Sequence, residues 1–210
     1  MTKRWWLPLG VLLCGAALLW PWRGALTAEA IAARSPEQAA MAAVFLLALY
    51  GGKGLSLVLP LSALEAAGGL LFPLPAALGI NLAGVALTHA GPFLLGRRQK
   101  GDFQALEARH PRLAPLLRPA ERPGRTVFLL RLGGAAPGDL VSFCLGAAGV
   151  PWAAYLLPGL LGSLPRVVAA TVLGSALWDI GGRRFWLSLA AGAALTALSL
   201  ALWRLGRRTA

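Results

Sequence analysis

The sequence predicts an all-α polytopic membrane protein, an inverted repeat with two re-entrant hairpins and about four to five spanning helices. Three observations carry this. The 210 residues are 57% hydrophobic and only 13% charged, with a mean hydropathy of +0.66, a profile that belongs to membrane proteins. Apolar runs recur at Trp5–Trp22, Gln38–Leu59, Leu74–Leu95, Trp152–Leu177 and Phe185–Trp203, and a span needs about 20 residues. Two further apolar stretches are interrupted by Pro, Gly and a carboxylate: Pro60-Leu-Ser-Ala-Leu-Glu65-Ala-Ala-Gly68-Gly69 and Pro137-Gly138-Asp139-Leu-Val-Ser142-Phe-Cys-Leu-Gly146. Broken backbone at membrane depth is tolerated only where it is buried in protein or lines a cavity.

Taken in order, residues 1–37 form an N-terminal transmembrane helix and an outer loop. Met1–Trp22 has the basic start of a signal peptide, but its run ends in Leu19-Trp20-Pro21-Trp22 rather than a small-residue cleavage site, so it is expected to stay as a helix. Ser35-Pro36-Glu37 reads as a helix start, with Ser as N-cap and Pro in the first turn. Residues 38–177 form the core. Its first helix is loosened by Gly51-Gly52-Lys53-Gly54, and the hairpin near 59–75 dips from the outer face, turning through Gly68-Gly69. Ala76–Leu95 crosses inward. The Pro-punctuated loop Gln99–Arg125 follows, with a short surface helix expected at Phe103–Arg109. A second hairpin near 126–150 enters from the inner side, and Trp152–Leu177 runs outward. Residues 178–210 supply a last transmembrane helix and a basic tail. Each half of the core reads as Pro, carboxylate, Gly, Pro and a long Gly-containing span.

The net charge of +12 records orientation. Fourteen basic residues (Lys3, Arg4, nine between Arg97 and Arg131, and Arg204, Arg207 and Arg208 with them) fall in segments read as cytoplasmic. Five (Arg23, Arg34, Lys53, Arg183, Arg184) fall at the outer face. Both termini are therefore inside. No aromatic platform interleaves the basic loop, which argues against nucleic acid as a partner. Cys14 and Cys144 lie in different apolar runs with no metal or redox spacing, so no metal and no cofactor is expected.

The intramembrane charges are the candidate functional residues. A carboxylate at the bilayer centre costs about 2.5–3.5 kcal/mol on insertion scales and marks a partner or a watery cavity. Glu65 is the sharpest case, the plainer alternative being a turn residue at headgroup level. Asp139, after Pro137-Gly138, is either a coupling residue or the N-cap of a half-helix. Arg131 precedes the second break, where it either grips a phosphate or anchors the inner face. Arg166 follows Pro165 within a span. Arg97 sits beside Arg98 at an inner helix end, and His89 lies within a span as a relay or a satisfied packing residue. Pro60, Gly68, Gly69, Pro137, Gly138 and Gly146 are the hairpin-forming positions.

The run Arg131-Leu-Gly-Gly-Ala-Ala-Pro137-Gly138-Asp139-Leu-Val-Ser142-Phe-Cys-Leu-Gly146, with Gly162-Ser-Leu-Pro165-Arg166 and Gly174, resembles the signature of the DedA superfamily, also called the SNARE-associated or VTT-domain family. In the first half, Pro60, Leu71-Phe72 and Phe93-Leu-Leu-Gly-Arg97 resemble its other motif, and the likeness covers roughly Gln38–Leu177. The resemblance implies two membrane-embedded hairpins facing each other, and a role moving lipids between leaflets as a phospholipid scramblase or a proton-coupled flippase for undecaprenyl phosphate. Its functional acids and arginines map here onto Glu65, Arg131 and Asp139. The chain departs from the family pattern in lacking a second acid between Gly69 and Ala90 and in carrying Pro73 after Phe72.

The leading expectation is thus a lipid flippase or scramblase of the bacterial inner membrane. Its partners would be anionic phosphate headgroups, with proton coupling and homo-oligomerisation left open. A non-transporting scaffold is the alternative. An intramembrane enzyme is less favoured, because Ser142 with His89 is the one candidate nucleophile–base pair and neither Gly-x-Ser-x-Gly nor His-Glu-x-x-His occurs.

Overall fold

The computed structural model describes residues 27–54, 60–99, 123–133, 137–177 and 182–208. Among them are eight helices: α1 (Ala28–Ala33), α2 (Ala39–Lys53), α3 (Leu61–Leu71), α4 (Leu74–Arg98), α5 (Pro123–Gly133), α6 (Gly138–Ala147), α7 (Trp152–Ser175) and α8 (Arg183–Arg208). No strand occurs among the described residues. The expected span Trp5–Trp22 and the surface helix Phe103–Arg109 lie outside them. Two helices, α4 and α7, are long and apolar enough to cross a membrane. The outer surface carries exposed large apolar side chains, among them Met41, Val44, Leu87, Leu157 and Trp186, as lipid-facing helices do.

The elements start and stop for local reasons. Thr27 caps α1, its side chain accepting from the Ala30 N–H at 3.2 Å. The expected start at Ser35-Pro36 is displaced, because α1 occupies the preceding residues and α2 begins at Ala39 after Gln38. Pro60 and Pro137, both extended, lie immediately before α3 and α6. The expectation that the first hairpin turns through Gly68 and Gly69 is corrected by the structure. They lie inside α3, and the chain turns at extended Phe72 and Pro73, where a residue before proline is steered out of the helical region. The second turn uses different chemistry. Gly149 adopts φ 78°, with Val150 N–H donating to Leu145 O and Gly149 N–H to Gly146 O, the paired bonds of a Schellman cap.

The two halves repeat with a constant offset of 78 positions: Tyr50 to Phe128, Lys53 to Arg131, Pro73 to Pro151, Gly84 to Gly162 and Gly96 to Gly174. The packing repeats too. The short helix of each half lies on the long helix of the other, α3 on α7 and α6 on α4. A Cβ on Gly69 would strike the Thr171 carbonyl, and one on Gly174 the Ala66 carbonyl. At the other crossing, Gly146 meets the Phe93 carbonyl and Gly96 that of Phe143. Within each half, Gly84 receives Tyr50 of α2 and Gly162 receives Arg131 and Phe128 of α5. Helices in lipid approach only as closely as their small residues permit, so these glycines set the whole bundle.

Two apolar clusters fill the interior. One gathers Leu46, Tyr50, Leu64, Val85 and Val167; the other gathers Phe93, Val127, Val150 and Tyr155, with Phe93 stacked on Tyr155 at 4.1 Å between ring centroids. Helix α4 enters the first cluster at Val85 and the second at Phe93, whereas α7 meets them in reverse order, Tyr155 before Val167. The two long helices therefore run in opposite senses. Between the clusters, both helices present polar side chains to one another.

Leucine at Gly96 or at Gly174 has to push two helix backbones apart and is expected to cost at least about 1–3 kcal/mol. Gly79 has nothing within 4 Å of its Cβ position, so alanine there is expected to be neutral or to gain about 0.5–1 kcal/mol. Thermal unfolding in detergent separates the two classes, and equal midpoints for all three variants would contradict the packing described.

Candidate functional site

Glu65 is the fifth residue of α3 and wholly buried. Its i, i+4 relation to Gly69 puts both on the face that meets α7. Gly69 seats at Thr171, and one turn away Arg166 Nη1 donates to both Glu65 carboxylate oxygens, at 2.6 and 2.7 Å. The partners differ in access: the Glu65 side chain is 0% exposed and that of Arg166 44%. Asn81 of α4 holds the pair's surroundings in place. Its amide nitrogen donates to the Glu65 carbonyl and to Thr171 Oγ1, both at 2.8 Å, while the Tyr50 hydroxyl donates to its oxygen at 2.9 Å. Four helices, α2, α3, α4 and α7, meet through one side-chain amide with both its donors and its oxygen engaged.

The second carboxylate repeats the theme with another partner. Asp139, in the first turn of α6, accepts from Lys53 Nζ at 2.5 Å, with side-chain exposures of 10% and 8%. Lys53 is the last residue of α2. The N-cap reading of Asp139 is corrected here, because Pro137 occupies the cap position without a side-chain bond and the Asp139 carboxylate is turned to Lys53. The Lys53 ammonium gives the buried carboxylate a charge-assisted hydrogen bond.

Arg131 sits between the two pairs. Its guanidinium donates to Gly138 O at 3.0 Å, Ser142 Oγ at 2.6 Å and the Tyr155 hydroxyl at 3.1 Å. All three are neutral. The Tyr155 hydroxyl passes on to the His89 carbonyl at 3.0 Å, and the Ser142 hydroxyl donates to Gly138 O at 2.8 Å. Ser142 is thus committed to α6 and to Arg131, and no Ser142–His89 bond forms.

Of the residues singled out from sequence, Glu65 and Arg166 meet directly, and Asp139 and Arg131 lie within electrostatic reach of each other. Arg131 and Arg166 also act on one another. Arg97 does not join them; it is exposed in the last turn of α4, where a basic residue complements the helix dipole. Pro60, Pro137 and Gly138 start the short helices, while Gly68, Gly69 and Gly146 are their packing faces. Lys53, Asn81, Tyr50 and Tyr155 were not among the sequence candidates. The signal for Lys53 was its register with Arg131 in the repeat. Among the described residues no three His, Cys, Asp or Glu side chains group to hold a metal ion.

The VTT domain model matches residues 59–176 of the chain, from just before α3 to the end of α7. No curated protein and no solved structure gives a significant match.

Removing one partner of a buried ion pair costs about 3–5 kcal/mol, whereas replacing both with apolar groups is often neutral. Lys53→Met is therefore expected to destabilise the detergent-solubilised protein strongly, and Lys53→Met/Asp139→Leu to recover most of the loss. A double variant no more stable than the single one would show that the two side chains are not energetically paired.

Proposed function

The chain belongs to the VTT-domain family, and from that membership we propose that it is an integral membrane carrier moving a phosphate-bearing lipid, a phospholipid or undecaprenyl phosphate, between leaflets. The single observation that carries this reading is a cluster of five buried or half-buried charges, deep within an apolar bundle, in which three cations face two carboxylates. Lys53 and Asp139 balance, as do Arg166 and Glu65. Among the described residues, Arg131 has neutral hydrogen-bond partners only. A guanidinium so placed is fitted to a phosphate, which its planar fork binds through two N–H donors.

Arg166 supports the same reading from the other side. It lies in the interior of a helix long and apolar enough to span, yet its side chain is 44% exposed. An arginine turned to hydrocarbon at that depth is costly, so such residues face a bundle interior or a water-filled opening. In this reading α3 and α6 are re-entrant helices, dipping from opposite faces and ending against the opposite half's long helix. Their uncompensated backbone ends are tolerable because protein and a polar chamber surround them. The protein then sits in a bacterial inner membrane with both termini cytoplasmic. An incoming headgroup competes for Arg131 and Arg166, and release of Glu65 from Arg166 changes which face is open.

A scaffold would have no use for a surplus buried cation. An enzyme would need a nucleophile with a base beside it, and Ser142 is instead bound by Arg131. The reading is therefore of a carrier that leaves its lipid unchanged.

The test is headgroup translocation of fluorescent phospholipids in proteoliposomes holding the full chain. Glu65→Gln and Arg131→Ala are each expected to reduce it to the rate of protein-free vesicles while the purified proteins remain monodisperse. Undiminished transport by both variants would rule the mechanism out.

A further inference from the structure

His89 is a buried titratable side chain of this cluster that the transport reading leaves unused. It is 3% exposed, and its Nδ1 is buried with no hydrogen-bond partner among the described residues. A buried polar atom left unpaired costs about 1–3 kcal/mol, so such an atom in a native site calls for a partner that comes and goes. Within the same cluster a second atom shares this condition, the Nε of Arg131. Both groups lie along the small-residue face of α7. A Cβ on Gly159 would sit 4.0 Å from His89 Nδ1, and one on Gly162 would sit 2.9 Å from Arg131 Cβ, one helical turn apart.

Tyr155 of α7 lies beside the ring, 6.4 Å between centroids, and three cations act on it, Lys53 of α2, Arg131 of α5 and Arg166 of α7. All three are positive, so a charge on the ring is favoured only once a ligand brings further negative charge. Lys53 and Arg166 are paired with Asp139 of α6 and Glu65 of α3. With the ring neutral, the cluster among the described residues holds three positive and two negative charges and is balanced by one negative charge on a ligand. With the ring protonated, two negative charges are needed. Resting on the carrier reading above, we propose that His89 takes up the proton that lets this site hold a doubly charged phosphomonoester headgroup, where a singly charged phosphodiester needs none. The chamber then accepts both phosphate classes at the same net charge. His89 positions no part of the phosphodiester; toward the phosphomonoester it supplies the proton's charge and the Nδ1 that lacks a partner among the described residues.

The experiment uses full-length protein in phosphatidylcholine vesicles carrying a trace of headgroup-accessible fluorescent phosphatidate, a phosphomonoester, or phosphatidylglycerol, a phosphodiester. It is run at about pH 8, where the phosphomonoester is dianionic, and at about pH 5, where it carries its own proton. The wild type is expected to move both lipids at both pH values. For His89→Gln, phosphatidate transport at pH 8 is expected to fall at least about tenfold, the scale of one uncompensated buried charge, and to recover at pH 5. Phosphatidylglycerol transport, retained at both pH values, shows that the variant is folded. Loss of both lipids alike, or of neither, overturns the proposal. A second measurement is independent of transport. Binding of short-chain phosphatidate at about pH 8 is expected to take up about one proton per lipid in detergent-solubilised wild type and none in His89→Gln, whereas short-chain phosphatidylglycerol takes up none in either. Absence of uptake in the wild type, or equal uptake by the variant, also overturns it. Wild-type protein that moves neither lipid while taking up a proton that His89→Gln does not would sink the carrier reading and leave the role of His89 standing.

Discussion

A charge withdrawn from water must find its counter-charge, and in this bundle each buried carboxylate finds it in the other half of the molecule. A single buried ion costs several kcal/mol even after relaxation, so Glu65 on α3 and Asp139 on α6 cannot be left alone. Glu65 reaches across to Arg166 of α7, and Asp139 reaches back to Lys53 of α2. Neither half can bury its own acid without the other. The crossed pairs add little net stability by themselves, since desolvation offsets much of the attraction. What they contribute is a unique docking of the two halves, because any slip in register strands two ions at once.

Crossed pairing buried from water requires helices that approach closely, and this is where the glycines enter. In lipid no hydrophobic force draws one helix to another, and association rests on packing and polar contacts. Gly69 and Gly174 let α3 and α7 touch backbone to backbone, and Gly146 and Gly96 do the same for α6 and α4. The hydroxyls along these faces add no unpaired donors. Thr171 donates to Val167 O and Ser163 to Gly159 O within their own helix. Asn81 converts the remaining polar valences into a four-helix junction. Close packing and charge pairing therefore depend on each other.

Much of this was legible in the chain. A carboxylate or an arginine within an apolar run stands out by cost alone, so Glu65, Asp139, Arg131 and Arg166 could be singled out without coordinates. The helical class and the broken segments followed from hydropathy and from Pro60 and Pro137. Other features were hidden for physical reasons. Lys53 ends an apolar run among glycines, where an interfacial anchor looks the same as a buried ion; only its partner on α6 distinguishes them. Gly68-Gly69 has the composition of a turn and of a helix-packing face, and the choice is made by Asn81 of α4 against Gly68 and by α7, distant in sequence, against Gly69. Asn81 and Tyr50 are uncharged, and a polar residue in a span has many fates. The repeat looked weak because its carboxylates fall at different distances from their prolines, even though the helices themselves hold a constant register.

The departures from that register are the most telling part of the site. Lys53 and Arg131 occupy equivalent positions, each near the end of the first helix of its half. Strict register would place the counterpart of Asp139 at Leu61 and that of Glu65 at Phe143, so the two halves carry their buried acids at different levels of their short helices. The cations differ to match. Lys53 takes Asp139, whereas Glu65 is taken by Arg166, whose equivalent in the first half is Thr88, with His89 next to it. Arg131, the counterpart of Lys53, hydrogen-bonds Ser142, Tyr155 and the Gly138 carbonyl. The asymmetry leaves a positive group in the interior of an apolar bundle, held by neutral hydrogen bonds that a better acceptor can replace.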